Sequence, residues 1–177
     1  MKLTLASLLF AASMAVNSYA ADATVKLTDV HLCCKSCVTG AEKAVAKVDG
    51  AKAECDADGG SITLTASDTA TLQKATDALT KAGYFGKSSD PKIKVDAMTG
   101  AKGAKVQTLQ VSNVHLCCPK CVKAVDTALK AVPGVKEQTA VKNAKTFEVT
   151  GDFTDKDVFA ALQKAGLTGK VGPAAKE

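Results

Sequence analysis

Apolar and polar positions along this chain alternate in short runs, and the same series of runs occurs twice. Val25 and Leu27 alternate with polar neighbours as a half-buried strand does, and Leu109 and Val111 repeat the pattern. A cysteine-bearing loop follows each. Apolar positions then recur with three-four spacing at 38, 41, 45 and 48, and again at 122, 125, 129 and 132. These stripes predict helices ending at Asp49-Gly50 and at Pro133-Gly134. A strand pair is expected next, turning through Asp58-Gly59-Gly60 in one case and Lys142-Asn143-Ala144 in the other. Ile62, Leu64 and Ala66 mark the second arm of the first pair, Phe147 and Val149 that of the second. Second helices are predicted from Asp68 to Ala82, with Leu72, Ala75 and Leu79 inward, and from Asp155 to Ala165, with Val158, Ala161 and Leu162 inward. Gly83 and Gly166 stand where a helix C-terminal glycine belongs, and a short last strand follows each.

The order strand-helix-strand-strand-helix-strand predicts an α+β class of two ferredoxin-like βαββαβ domains in tandem. An offset of 84 residues, Cys33 to Cys117, superimposes more than the cysteines. Val38, Ala44, Val48, Gly50 and Lys52 fall on Val122, Ala128, Val132, Gly134 and Lys136. With one residue fewer, Lys81-Ala82-Gly83 falls on Lys164-Ala165-Gly166. The repeated unit is about 70 residues, near the lower size for an independent domain. The expected divisions are residues 21–95 for the first domain, 96–105 for a linker and 106–177 for the second domain. Thr99-Gly100-Ala101-Lys102-Gly103 gives the linker its flexible composition.

The first twenty residues read differently. Met1-Lys2 is a short positive start, Leu3 to Val16 an uncharged and mostly apolar run, and Ser18 and Ala20 are small residues three and one positions before Ala21. That is the layout of a secretory signal peptide, residues 1–20, and implies a periplasmic or otherwise exported protein. The run is shorter than the ~20 apolar residues of a membrane span, so no stable membrane insertion is expected. Composition is otherwise ordinary for a globular chain, at 46% hydrophobic and 23% charged. The net charge of +5 comes entirely from lysines scattered among Asp and Glu, with no Arg and no Trp. Nucleic-acid binding, which draws on clustered basic residues and stacking aromatics, is not indicated.

Six of the seven cysteines fall in two tight clusters, Cys33-Cys34-Cys37 and Cys117-Cys118-Cys121, while Cys55 stands alone. Disulfide staples join distant segments, whereas three thiols within five residues suggest a binding or redox site. Two cysteines separated by two residues at a helix start can turn both sulfurs toward one point. The helix N-terminus there favours thiolate over thiol, and Lys35 and Lys120 add positive charge. Thiolate is a soft ligand that suits Cu(I) and Hg(II) better than hard cations, with Zn(II) between them. A structural zinc site draws four ligands from separate segments, so geometry ranks Cu(I) ahead of Zn(II). A thiol-disulfide oxidoreductase is the alternative reading of the same pair. No other catalytic constellation is present in the sequence, and the chain is not expected to be an enzyme.

The loops His31-Leu32-Cys33-Cys34-Lys35-Ser36-Cys37 and His115-Leu116-Cys117-Cys118-Pro119-Lys120-Cys121, each between a strand and a helix, resemble the metal loop of the heavy-metal-associated domain family. That family includes copper chaperones and periplasmic mercury-binding proteins, and its loop reads Gly-Met-x-Cys-x-x-Cys. The closing Lys81 to Tyr84 is similar to the end of the family's second helix. The resemblance implies that Cys34 and Cys37, and Cys118 and Cys121, are paired metal ligands. It also implies a role in metal capture, delivery or sequestration, with a membrane metal transporter or a cuproprotein as partner. Two departures stand out: His-Leu replaces Gly-Met, and Cys33 or Cys117 precedes each pair. Both copies retain the extra cysteine, which favours a third thiolate and a trigonal or multi-copper site over an outward-pointing neighbour. His31 and His115 are either further ligands or hydrogen-bonding strand ends. Leu32 and Leu116 are expected to plug the core beneath the loops, and Tyr84 and Leu167 to lie near them. Cys55 faces Thr139 in the repeat and is read as a strand residue or free thiol outside the shared site.

Overall fold

A computed structural model describes residues 22–172; the predicted signal peptide therefore lies outside the described residues. Two four-stranded antiparallel sheets, each covered by two helices, form a mixed α+β architecture. The first half runs β1 (Ala23–Thr28), α1 (Lys35–Val45), β2 (Ala51–Asp56), β3 (Ser61–Ala66), α2 (Thr69–Lys81) and β4 (Lys87–Ser88). The second runs β5 (Lys105–Ser112), α3 (Pro119–Lys130), β6 (Val135–Gln138), β7 (Thr146–Thr154), α4 (Asp155–Lys164) and β8 (Lys170–Val171). The sheets have equivalent orders, β2-β3-β1-β4 and β6-β7-β5-β8, so that β1 and β5 lie centrally. Each central strand therefore delivers the loop at its end to a helix packed on the sheet.

The register follows from the alternation. Val25 pairs with Leu64 and Leu27 with Ile62, which puts four apolar side chains on the helix-covered face. Leu109 pairs with Val149 and Val111 with Phe147 in the second sheet. Leu72, Ala75 and Leu79 of α2 close the first core, and Val158, Phe159 and Leu162 of α4 the second. Asp68 starts α2 by accepting from the Thr71 N–H at 2.8 Å.

The first helix of each half is shorter than its stripe suggested. α1 ends at Val45, and the chain then closes two tighter turns, Val48 N–H to Val45 C=O and Ala51 N–H to Val48 C=O, before Gly50 enters β2 with positive φ. α3 stops at Lys130, ahead of Pro133-Gly134. The buried stripe is also displaced toward the loop: it begins at Cys37 in α1, followed by Ala41 and Ala44, and at Cys121 in α3, followed by Val125 and Leu129. The last cysteine of each loop is thus a core residue, where Val38 and Val122 had been expected to lead.

Residues 96–105 are tied to the second half. The Val171 N–H donates to the Thr99 carbonyl at 2.8 Å, and Asp155 accepts from Lys102 N–H at 2.9 Å and Gly103 N–H at 2.7 Å. Burial opposes ionisation of Asp155, but these backbone donors prevail and hold its carboxyl below the ordinary range. A depressed folded pKa gives stabilisation that is present above the unfolded value and lost as pH falls through the folded one. The Lys102 and Gly103 amides should therefore exchange slowly at neutral pH. Acidification below the usual carboxylate range, or Asp155→Ala at any pH, should release them in hydrogen-exchange NMR.

The halves also dock on one another, and the contacts are reciprocal. The Gly83 carbonyl accepts from Thr168 N–H at 3.0 Å, while the Gly166 carbonyl accepts from His31 N–H at 3.1 Å and Phe85 N–H at 3.2 Å. Tyr84 and Leu167 form an antiparallel bridge, both almost fully buried, and one contiguous apolar core runs through both halves. Gly83 and Gly166 have φ of +91° and +74°, and a Cβ on either would enter the backbone of the opposite strand end, at Asn113–His115 or Asp29–His31. Gly83→Ala and Gly166→Ala should each cost more than the roughly 1–2 kcal/mol of a left-handed non-glycine residue. Gly50→Ala is the control: its φ is +76° but nothing lies within 4 Å of its Cβ, so it should lose only the backbone part. Urea unfolding of the three variants makes the comparison.

Candidate metal centre

Both loops begin at a residue with positive φ, Asp29 at 60° and Asn113 at 61°. Asp and Asn are the side chains that best tolerate this left-handed geometry. The kink turns the chain off the sheet so that Leu32 and Leu116 drop into the core, 4% exposed each. Cys34 and Cys118 then occupy the extended N-cap positions of α1 and α3, and Pro119 fills the first helical position of α3, where its missing N–H costs nothing. Because the halves dock end to end, the two helix starts face one another.

All six loop cysteines meet in this seam. Within the first loop, the Cys37 sulfur lies 3.6 Å from Cys33 and 3.7 Å from Cys34. Within the second, Cys121 lies 3.7 Å from both Cys117 and Cys118. Across the seam, Cys33 is 3.3 Å from Cys118 and 3.6 Å from Cys121, and Cys117 is 3.4 Å from Cys37 and 3.7 Å from Cys34. Cys37 and Cys121 touch at 3.7 Å in the buried centre. These separations are far longer than the ~2.05 Å of a disulfide, so the sulfurs are free thiols in van der Waals contact. Cys33 and Cys117 point inward with the others. Cys55 makes none of these contacts: it sits on edge strand β2 opposite Ile62, and burial, with a smaller push from Glu42, raises its thiol to about 11.

Crowding splits the thiols electrostatically. Cys121 acts as donor to Cys37, and against the opposing effect of burial this holds Cys37 at about 2. The cost falls on the donors. Burial and then the bond to Cys118 push Cys33 up to about 12, Cys117 rises through burial and its bond to Cys37, and Cys121 rises chiefly because it serves Cys37. Burial opposes ionisation of Cys118 too, but the N–H groups of Cys121 and Lys120 at the helix start, with neighbouring thiols, bring it to about 6.

The histidines flank this cluster unequally. Tyr84 O–H donates to the Cys37 carbonyl at 2.7 Å and lies 3.1 Å from His115 Nε2. Since its one proton is spent on the carbonyl, Nε2–H of His115 is the donor there. The two rings stack with centroids 4.6 Å apart. The buried Nε2 of His31 has no hydrogen-bond partner. A ring nitrogen of His31 lies within 4.8 Å of the Cys33 and Cys121 sulfurs. Burial lowers its pKa, and His115 adds to that against the pull of Cys37, so the ring stays neutral and able to donate a lone pair.

The six cysteines singled out in the sequence are brought together by the structure, and Tyr84 and Leu167 lie near the loops as expected, but the sequence assigned one site to each loop. Gly40 was not singled out. A Cβ at Gly40 would strike the Tyr84 hydroxyl and approach His115, so the bare α-carbon makes room for the pair. The residue at the 84-residue offset is Ala124, on the side where Leu167 replaces tyrosine. Gly40→Ala should therefore destabilise by roughly 1–3 kcal/mol through overpacking, despite alanine's better helix propensity. Ala124→Gly should cost only the propensity difference, about 1 kcal/mol. Denaturant midpoints, with the His115 ring resonances as a local reporter, test the pair.

The heavy-metal-associated domain model matches residues 108–168, from within β5 past the end of α4. No curated protein sequence matches the chain. Among solved structures, the N-terminal soluble domains of Bacillus subtilis CopA align at 15% identity over 86% of this chain and 95% of that one, with a TM-score of 0.34. The first two RRM domains of yeast poly(U)-binding protein Pub1 align at 12% identity over 87% of this chain and 100% of that one, with a TM-score of 0.23. The second half thus carries a segment matching the heavy-metal-associated domain, which contains Cys117, Cys118 and Cys121 and supports heavy-metal binding.

Proposed function

We propose that this chain is an exported binding protein for a soft metal ion, foremost Cu(I), built from two tandem heavy-metal-associated domains that hold the metal between them. The observation that carries the reading is the convergence of six cysteine sulfurs, at 3.3–3.7 Å, onto the facing starts of α1 and α3. Thiolates select soft ions, and two helix N-termini supply partial positive charge to a site whose ligands are anionic. The sulfur separations also discriminate among ions. A linear two-coordinate ion with metal–sulfur bonds of ~2.3 Å needs its sulfurs about 4.6 Å apart. Cys34 and Cys37 are 3.7 Å apart, as are Cys118 and Cys121, closer than a linear ion such as Hg(II) prefers and in keeping with an ion shared by three or more sulfurs.

Capture and release would proceed by thiolate exchange, with no bond made or broken in an organic substrate. Cys33, Cys34, Cys117 and Cys118 are half-exposed and form the rim where an ion enters, while Cys37 and Cys121 are buried at the centre. A membrane metal transporter or a cuproprotein presenting its own thiols is the fitting partner for delivery; without one the protein sequesters the ion. Among the described residues no helix is long and apolar enough to cross a membrane. Residues 1–20 act as the export signal in this reading, so periplasmic material should begin at Ala21 when its N-terminus is sequenced.

Anaerobic titration of the reduced protein against competing chelators tests the metal assignment. Cu(I) should be retained against the strongest competitor, Zn(II) lost to a weaker one, and the joint Cys37→Ser, Cys121→Ser variant should lose at least tenfold in Cu(I) affinity. Equal weak binding of all ions, unaffected by those substitutions, would sink the reading. Turnover of a protein disulfide by the metal-free chain would instead favour a thiol-disulfide oxidoreductase.

A further inference from the structure

The sulfurs do more than crowd together; their contacts close into triangles. Cys33, Cys37 and Cys121 form one, with edges of 3.6, 3.6 and 3.7 Å. Cys34, Cys37 and Cys117 form a second, with edges of 3.7, 3.7 and 3.4 Å. Cys33, Cys34 and Cys118 form a third, and Cys117, Cys118 and Cys121 a fourth, all within 4.8 Å of one another. Every sulfur belongs to two of these four triangles. The six therefore mark the corners of an octahedron, and the four triangles are its alternate faces. Exchanging the two halves generates the other four faces, so either set is available.

We propose that the two loops together form one cage for four Cu(I) ions, each bound by three thiolates, with each thiolate bridging two ions. The inference rests on the Cu(I) reading above. An ion at the centre of a triangle with 3.6–3.7 Å edges lies about 2.1 Å from each sulfur, so slight expansion reaches the ~2.3 Å of a metal–thiolate bond. Charge supports the same count. Six thiolates carry six negative charges, and four Cu(I) ions reduce that to a net two. Two helix N-termini and the exposed Lys35 and Lys120 face that remainder. One ion per Cys-x-x-Cys pair would leave Cys33 and Cys117 without a metal, although both are turned into the cage. It would also require each pair to open from 3.7 Å to about 4.6 Å, a larger expansion than the triangles need. The contacts close triangles rather than a four-sulfur tetrahedron, which sets the cage apart from a tetrahedral zinc site. His31, one ring nitrogen of which lies within 4.8 Å of the Cys33 and Cys121 sulfurs, offers one further donor beside the cage.

The test is the stoichiometry of the full reduced chain, titrated anaerobically with Cu(I) and read by native mass spectrometry and emission. The expected result is a monomer that fills to four ions, with the four-ion species dominating over partly filled ones. Luminescence of a solvent-shielded multinuclear Cu(I)–thiolate centre should appear, together with copper neighbours of copper in X-ray absorption. The joint Cys33→Ser, Cys117→Ser variant should still bind Cu(I), at half the wild-type number or fewer, without emission. Saturation of the wild type at two ions, or at any number other than four per chain, overturns the cage while leaving the Cu(I) reading intact. A four-ion species found only in a dimer also overturns it. Absence of Cu(I) binding would remove the reading on which the cage rests.

Discussion

The constraint on which everything else depends is electrostatic: six thiols within van der Waals reach of one another cannot all ionise in the absence of a cation. Two unit charges about 4 Å apart repel by about 4 kcal/mol at an effective dielectric of about 20. The metal-free seam answers by sharing protons. Cys37 and Cys118 become the readily ionised centres, the first because Cys121 donates to it and the second because it accepts from N–H groups at a helix start, while Cys33, Cys117 and Cys121 keep their protons. In the proposed function a soft cation would replace those protons as the glue. Metal binding and docking of the halves would then be two aspects of one equilibrium, since half of the proposed ligands lie on each side of the seam.

The rest of the fold is arranged around keeping that seam closed. Each half supplies a strand end, a loop and a helix end, and each meets its counterpart's equivalents. Gly83 and Gly166 permit the close backbone approach, Tyr84 and Leu167 fill the middle, and Leu32 and Leu116 anchor the loops from below. None of these residues would be a metal ligand, yet each sets the distance between sulfurs on opposite sides. A rigid, pre-formed ligand set reduces the entropic cost of closing the cage on an ion.

The elements were legible in the chain because their signals are local. Alternation located β1, β3, β5 and β7, and Asp68 and Asp155 marked the starts of their helices. The spacing of Cys33, Cys34 and Cys37 pointed to a site without any structure. The meeting of the two sites was not legible, because docking of two surfaces leaves no periodic trace. Gly83 and Gly166 were read as helix terminators, which they are, and that local explanation hid their second role against the opposite strand. The extra cysteine is the residue in the sequence that bears on it, since Cys33 and Cys117 both turn into the seam. A lone domain has little use for a third inward thiolate, whereas a shared cage requires it. The early end of α1 has a similar cause: Val38 and Val48 looked like the ends of an apolar stripe, but burial of Cys37 shifts that stripe toward the loop.

The asymmetry between the two sides has a consequence for how a filled cage would open. His115 of the second half is held by Tyr84 of the first, whose hydroxyl also bonds the Cys37 carbonyl, so this brace ties the first loop's buried cysteine to the start of the second loop. His31 has no such brace and retains a buried, unpartnered nitrogen. The Cys33–Cys121 edge, next to His31, is therefore the less constrained edge of the cage, and the imidazole there can take up an ion as a thiolate lets go. Exchange starting at that edge trades one ligand for another without a bare intermediate. The Tyr84 side holds the remaining sulfurs in place during the exchange. Two loops alike in sequence thus take different parts in one site, the His115 end of the seam braced by Tyr84 and the His31 end left free to yield.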